Sequence, residues 1–168
     1  MKDSPSASAS PGVEPSEKGP RTILAVDYGR RKIGLALSDA LALMAHPLAI
    51  VPRTNRSAAV RTLREISREH HVGLILVGCP LHLSGEASHI SNEAVRFASR
   101  LRKELGLPVE MVDERLTTWQ AKQIFASYGG SSTQDTLLDA RAAAVFLQDY
   151  LDERSGRRAT LPAPQGVG

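Results

Sequence analysis

The chain has 168 residues, a net charge of +3 and a single cysteine, Cys79, so it suits one domain and excludes an internal disulfide. No stretch approaches the roughly 18 apolar residues that a membrane-spanning helix needs, and the first residues lack the apolar core of a secretory signal. These features favour a cytoplasmic protein that does not bind membranes.

Composition divides the chain into three parts. Residues 1–20 are rich in Ser, Pro, Gly and charged residues, and they predict a disordered N-terminal tail. Residues 155–168 are similar and predict a flexible C-terminal tail. Residues 21–154 carry the apolar patterning of one folded domain, which is large enough to bury a core without a structural metal.

The folded part begins with apolar runs of strand length and continues with helical periodicity. The runs predict strands over residues 22–26, 33–37, 48–51, 74–77 and 109–112. Gly29 lies in the short connection between the first two strands, which predicts a hairpin. Apolar stripes predict helices over residues 57–70, with Ser57 as N-cap, and over 90–105, 121–128 and 133–154.

This order of elements indicates an α/β fold. Early antiparallel strands followed by strand–helix units predict a mixed five-stranded sheet with helices on both faces. RNase H-like domains have this strand order, although other α/β folds share it.

Acidic residues follow two of the predicted strands. Asp27 ends the first strand on the same face as Ile23 and Ala25, while Asp113 and Glu114 directly follow the fifth. Ligand sites in open α/β sheets lie at such carboxyl ends. The structural alternatives are a turn cap for Asp27 and a solvated loop for the acidic pair.

A third acidic residue, Asp139, lies on the last predicted helix in one stripe with Ala143 and Phe146, so we expect it to face the sheet. A carboxylate there must be paired or metal-bound, because burying it alone is costly. Pairing with Arg115 or Arg141 is the structural alternative. If the carboxylates converge, they repel unless a cation lies among them, and oxygen-only ligation suits Mg²⁺ or Mn²⁺. Two such ions about 3.5–4 Å apart would support phosphodiester hydrolysis.

Basic residues concentrate in the first third of the folded part. They form either a solvated face or an edge that contacts phosphate, and charge alone leaves both open. They are Arg21, Arg30, Arg31, Lys32, Arg53 and Arg56.

Four short motifs occur in order between Arg21 and Glu153. They comprise residues 27–34 (DYGRRKIG) with Ser38 and Asp39, residues 77–81 (VGCPL) with Gly85, residues 113–118 (DERLTT) with Ala121, and residues 139–143 (DARAA) with Leu147 and Gln148. Together they resemble the signature of the YqgF/RuvX family. His82 departs from it, because the family often has Asn at this position.

The resemblance implies an RNase H-like fold and a divalent-metal nuclease, in a family of Holliday junction resolvases and nucleases that mature the 5′ end of 16S rRNA. It implies catalytic metal ligands at Asp27, Glu114 and Asp139, holding two Mg²⁺ or Mn²⁺ ions. Asp113 is a further candidate ligand, but strand alternation directs it and Glu114 to opposite sides, so one of the two supports and the other ligates. The residues implied to contact nucleic acid or to order the site are Arg31, Lys32, Arg115, Thr117 and Thr118.

The expected function is maturation of precursor rRNA, and the sequence leaves three alternatives open. The first is a resolvase of branched DNA in recombination and repair. A nucleic-acid-binding module without catalysis is the second. A nucleotide-binding protein of the actin and sugar-kinase superfamily is the third, although such proteins use two domains of this kind. The sequence leaves monomer and homodimer open.

Overall fold

The computed structural model describes residues 21–79, 89–113 and 138–156. In chain order the described elements are β1 (Thr22–Tyr28), β2 (Lys32–Ser38), β3 (Ala45–Pro52), α1 (Arg56–Glu69), β4 (Val72–Cys79), α2 (His89–Leu105), β5 (Val109–Asp113) and α3 (Leu138–Arg154). The helix predicted over 121–128, the N-terminal tail and residues 157–168 lie outside the described residues, so those expectations stay predictions.

The five strands form one sheet in the order β3-β2-β1-β4-β5. β1 pairs antiparallel with β2, and β2 with β3, whereas the pairs β1–β4 and β4–β5 are parallel. The predicted hairpin and mixed sheet are therefore confirmed. All five strands extend beyond the predicted apolar runs, because flanking residues such as Asp27 and Lys32 join the ladder through their main chains.

Helices cover both faces of the sheet, as predicted. Side chains of α1 and α2, among them Leu63 and Phe97, form one core with alternate residues of the strands. On the other face α3 packs through Ala143, Phe146 and Leu147. Each helix thus buries one apolar stripe, which is the main source of its stability.

The N-cap of α1 differs from the prediction. Asn55 caps the helix, and its side-chain oxygen accepts hydrogen bonds from the amides of Ser57 and Ala58 at 2.9 and 3.1 Å. Ser57 was therefore wrong as N-cap, since it already lies within the first turn. Asn and Ser are about equally good N-caps, so the residue type alone does not decide between Asn55 and Ser57.

The direction of the parallel strands gives the sheet two distinct edges. We call the edge at which β1, β4 and β5 end the carboxylate edge, and the edge at which they begin the far edge. α1 starts after β3 at the carboxylate edge and runs to the far edge, where the carbonyl oxygen of His70 accepts a 2.7 Å hydrogen bond from the Thr22 hydroxyl. Within the described ranges, no helix is both long and apolar enough to cross a membrane.

Candidate functional site

Asp27 lies at the carboxylate edge between two glycines. Its register partners are Gly34 on β2 and Gly78 on β4. Residues directly opposite on neighbouring strands project to the same face. That face is the one covered by α3, because Ile23 and Ala25, which alternate with Asp27, pack in the α3 core. The half-buried carboxylate of Asp27 therefore has no side chain directly beside it on either neighbouring strand.

The first turn of α3 fills the space over one of these glycines. A β-carbon at Gly34 would lie 2.1 Å from the carbonyl oxygen of Asp139 and 2.8 Å from the nitrogen of Ala140, so only glycine fits. Directly opposite β-carbons are about 4.5–5.5 Å apart in antiparallel strands. Asp139 therefore lies next to Asp27, and the structure brings together two of the predicted site residues.

Asp139 lies at the margin of the helix face that meets the sheet. Ala143 and Phe146, on the predicted stripe, are buried, whereas Asp139 itself is half-buried. This position leaves its side chain close to the sheet without enclosing it in the core.

Asp113 ends β5 on the other face of the sheet. The preceding Val112 packs in the α3 core, so strand alternation directs Asp113 toward the face of α1 and α2. Glu114 lies outside the described residues, so which of the two carboxylates supports and which ligates stays a prediction. The remaining predicted residues lie outside the described ranges: Glu114, Arg115, Thr117 and Thr118.

A tight turn beyond Asp27 carries exposed basic residues. The amide of Gly29 donates to the carbonyl oxygens of Asp27 and Lys32 at 3.1 and 3.0 Å. A β-carbon at Gly29 would lie 2.6 Å from the Lys32 oxygen, so the turn requires glycine. Arg30, Arg31 and Lys32 are exposed at the tip.

The other basic residues of the first third differ in position and exposure. Arg21 lies at the far edge, before the start of β1. The Arg53 side chain is only 11% exposed and pairs with Glu93, and Arg56 pairs with the same carboxylate at 3.1 Å. Residues 30–32 on the turn are therefore the candidates for contact with phosphate, whereas the Arg53 and Arg56 side chains are engaged by Glu93.

Motif residues at the far edge hold the turn between β2 and β3. The Asp39 Oδ1 atom accepts hydrogen bonds from the amides of Leu43 and Met44 at 2.7 and 3.2 Å. The Gln148 side chain accepts from the Ala45 amide at 3.0 Å and donates to the Leu43 carbonyl oxygen at 3.1 Å. These side chains anchor main chain, so their place in the motifs reflects the fold.

A groove of about 370 Å³ also opens at the far edge. Glu104 in this groove accepts hydrogen bonds from Arg100 and Arg64, which hold its pKa below the usual value. The groove contains none of the motif residues, so the candidate site is the carboxylate edge. Its lining consists of Arg64, Ser67, Arg68, His71, Val72, Glu104, Leu105 and Leu107.

The donor chemistry at the carboxylate edge fits a divalent cation. Asp27 and Asp139, which lie next to each other across Gly34, offer carboxylate oxygens, the ligands that Mg²⁺ and Mn²⁺ prefer. Among the described residues no three His, Cys, Asp or Glu side chains form a metal-binding group. The third expected ligand, Glu114, lies outside those ranges.

Sequence comparison identifies the family. A family model described as RuvX, Holliday junction resolvase, matches residues 21–153. The chain belongs to the RuvX family. Two relatives named "Putative pre-16S rRNA nuclease", from Anaeromyxobacter and Synechococcus, are 39% and 36% identical over 132 residues. These alignments cover 78% of this chain and 96% and 89% of the relatives. The resemblance drawn from the four motifs is confirmed.

Two of the solved structures similar to this RuvX-family chain were determined with Holliday junction DNA. RuvC of Thermus thermophilus in complex with a Holliday junction substrate has a TM-score of 0.51 at 17% identity, covering 82% of this chain and 97% of RuvC. The fowlpox virus resolvase in complex with junction DNA has a TM-score of 0.50 at 14% identity, covering 79% and 98%. At such identities the likeness concerns the fold, and it confirms the predicted RNase H-like fold.

Proposed function

We propose that this protein is a divalent-metal-dependent nuclease that hydrolyses phosphodiester bonds of structured nucleic acid and matures the 5′ end of 16S rRNA. The observation that carries the proposal is the position of Asp27 beside Asp139 across Gly34, below an exposed basic turn. The names of the relatives at 36–39% identity support precursor rRNA as substrate. This function belongs in the cytoplasm.

In this proposal Asp27, Glu114 and Asp139 hold the metal, and Asp113 supports them from the other face of the sheet. These carboxylates would hold two Mg²⁺ or Mn²⁺ ions, whose charge would activate a water and stabilise the leaving oxygen.

The chain itself positions the substrate. Arg31 and Lys32 project from the turn next to Asp27, where they contact phosphates of the nucleic-acid backbone. Arg115, Thr117 and Thr118 order the site or contact phosphate close to the scissile bond.

The test is cleavage by the purified full chain with Mg²⁺, Mn²⁺ or EDTA. The substrates are a 16S precursor with its 5′ leader, a single-stranded RNA and a four-way DNA junction. Asp27→Asn controls for contaminating nuclease, and Asp39→Asn is the matched control at the far edge. We expect metal-dependent cutting of the precursor that is lost in Asp27→Asn and retained in Asp39→Asn.

Junction resolution is the second candidate, because the matching family model is described as a Holliday junction resolvase. Symmetric cutting requires two active sites, so this function predicts a homodimer. Preferential metal-dependent cutting of the four-way junction, with a dimer in solution, would replace the rRNA proposal. Tight binding without cleavage of any substrate would favour a non-catalytic binding module.

A further inference from the structure

One residue holds the basic turn from the β3 side. The Arg53 Nη1 atom donates a 2.9 Å hydrogen bond to the carbonyl oxygen of Gly29. The main-chain amide of Arg53 donates a second 2.9 Å bond to the carbonyl oxygen of Arg31. A single residue therefore binds both ends of the segment that follows Asp27 and Tyr28.

The guanidinium is fixed on its other sides as well. It lies over the Tyr28 ring, 4.5 Å from the centroid, and Tyr28 in turn stacks on Phe97 of α2 at 4.8 Å. The Nη2 atom bonds to the Glu93 carboxylate on α2. Arg53 thus joins the turn between β1 and β2 to the first turns of α2, and it needs a planar group with several donors, which lysine lacks.

The burial of this ion pair argues for a geometric role. The side chains of Arg53 and Glu93 are only 11% and 16% exposed. Removing two charges from water offsets much of their attraction, so such pairs contribute little net stability while fixing the groups that they join. The groups fixed here immediately follow Asp27 in the chain.

We propose that Arg53 is a positioning residue for the nuclease reaction. By holding the turn between β1 and β2 against α2, Arg53 sets the direction of the Asp27 carboxylate before the turn. It likewise sets the direction of the Arg31 and Lys32 side chains on the turn. This inference rests on the proposed function, because it concerns the same site.

Arg56 provides a matched comparison. It pairs with the same Glu93 carboxylate at 3.1 Å, but its side chain is 56% exposed. Within the described part of the chain it makes no hydrogen bond to the turn. Replacing either arginine with lysine keeps the net charge, so differences between the two variants report on the contacts with the turn.

The experiment compares wild type, Arg53→Lys and Arg56→Lys as full chains. The measurements are kcat and KM for the precursor substrate with Mg²⁺, amide hydrogen exchange of the segment 27–32, and thermal unfolding. We expect Arg53→Lys to lower kcat by about 10- to 100-fold, because misplaced catalytic groups cost rates of this order. KM should change less than about threefold, and amides of the turn should exchange faster. Arg56→Lys should match wild type in each measurement.

Two results would overturn the proposal: an unchanged kcat in Arg53→Lys, or equal losses of activity in both variants that follow their loss of thermal stability. If Arg53→Lys does not fold, Glu93→Gln replaces it. We then expect a smaller fall in kcat, of about three- to tenfold, because the introduced amide can still accept a hydrogen bond from Arg53, although a weaker one than the carboxylate accepts.

Failure of the proposed function gives a different pattern. If wild type cuts nothing, the nuclease proposal fails while hydrogen exchange still decides whether Arg53 orders the turn. Unchanged protection of residues 27–32 in Arg53→Lys then overturns the positioning role, and faster exchange confined to that segment retains it.

Discussion

At the carboxylate edge Asp27 stands between Gly34 and Gly78, with the first turn of α3 packed beside it. At the far edge Asp39 accepts hydrogen bonds from two main-chain amides of the turn between β2 and β3. Both aspartates belong to one motif of the family, 12 residues apart in the sequence. Their surroundings differ, because Asp39 binds main-chain amides whereas Asp27 lies beside a second acidic residue, Asp139.

Residues of one sequence motif can therefore have different surroundings in the fold. The Asp39 carboxylate is supplied with donors, and it helps to hold Ala42 of that turn at a φ of 53°, which L residues rarely adopt. Asp27 has a second acidic residue as neighbour, and two nearby carboxylates gain from a cation between them. We therefore expect a division between the edges: substitutions at the carboxylate edge should lower catalysis, and substitutions at the far edge should lower stability alone.

The largest expected effect is on catalysis at the carboxylate edge. Asp139→Asn should lower kcat by about two to three orders of magnitude, because a charged group next to Asp27 is lost from the reacting centre. Thermal unfolding should change little, since the side chain is only half-buried. Steady-state cleavage and calorimetry measure both. A variant with normal kcat would remove Asp139 from the active site.

Gly34→Ala should affect both activity and stability. The added β-carbon would meet the Asp139 carbonyl oxygen at 2.1 Å, so the first turn of α3 must move. We expect a loss of about 1–3 kcal/mol in the free energy of unfolding and a fall in kcat of about 100-fold. Denaturant titration and cleavage assays measure these. Wild-type stability would show that α3 does not rest on Gly34.

At the far edge the expected effect is on stability alone. Gln148→Ala leaves the Ala45 amide and the Leu43 carbonyl oxygen without their side-chain partner, which should cost about 1–3 kcal/mol. The turn is remote from Asp27, so kcat below the unfolding temperature should stay within about twofold. Gln148→Glu should not restore the stability, because the new carboxylate would face the Leu43 carbonyl oxygen and the Asp152 carboxylate, to which the Gln148 amide group now donates. A large fall in kcat would refute the division between the edges.

Smaller effects are expected on nucleic-acid affinity at the basic turn. Each of Arg31→Ala and Lys32→Ala should weaken binding a few-fold and reduce the slope of log K against log salt by about 0.7–0.9, the contribution of one phosphate contact. Binding titrations at several salt concentrations measure this. Arg21→Ala, at the far edge, should leave the slope unchanged; an equal change there would indicate attraction by net charge only.

The smallest expected effect concerns the Tyr28 hydroxyl. It is buried and has no hydrogen-bond partner among the described residues, while its ring stacks on Phe97 and under Arg53. Tyr28→Phe keeps both ring contacts and removes an unsatisfied polar atom, so stability should change by less than about 1 kcal/mol or rise. A loss above that value would reveal a partner for the hydroxyl.

Much of the fold follows from the sequence, because burial requires apolar periodicity. The strand ends were underestimated where polar residues such as Ser38 pair through the main chain. The sequence also predicts the position of Asp27 at the carboxyl end of β1, where ligand sites form in such sheets. The position of Gly34 opposite Asp27 is also predictable, because a hairpin that turns at Gly29 brings these two residues into register.

The role of Arg53 could not be read from the sequence. A basic residue in a basic segment is expected to be exposed, and here it is buried against Tyr28 and Glu93. Glu93 lies 40 residues further along the chain, so only the packing of α2 brings the pair together. Contacts of this kind depend on tertiary structure and leave no local pattern.

The shared direction of the three helices gives the molecule an electrostatic axis. α1 begins at Arg56 and α2 at His89, while α3 begins at Leu138 beside Gly34, so all three start at the carboxylate edge. Each helix start carries about half a positive charge from its aligned peptide dipoles, and each helix end carries the opposite. A negatively charged group is therefore favoured next to the first turns of the helices at the carboxylate edge and disfavoured next to their last turns at the far edge, whichever basic side chains are present.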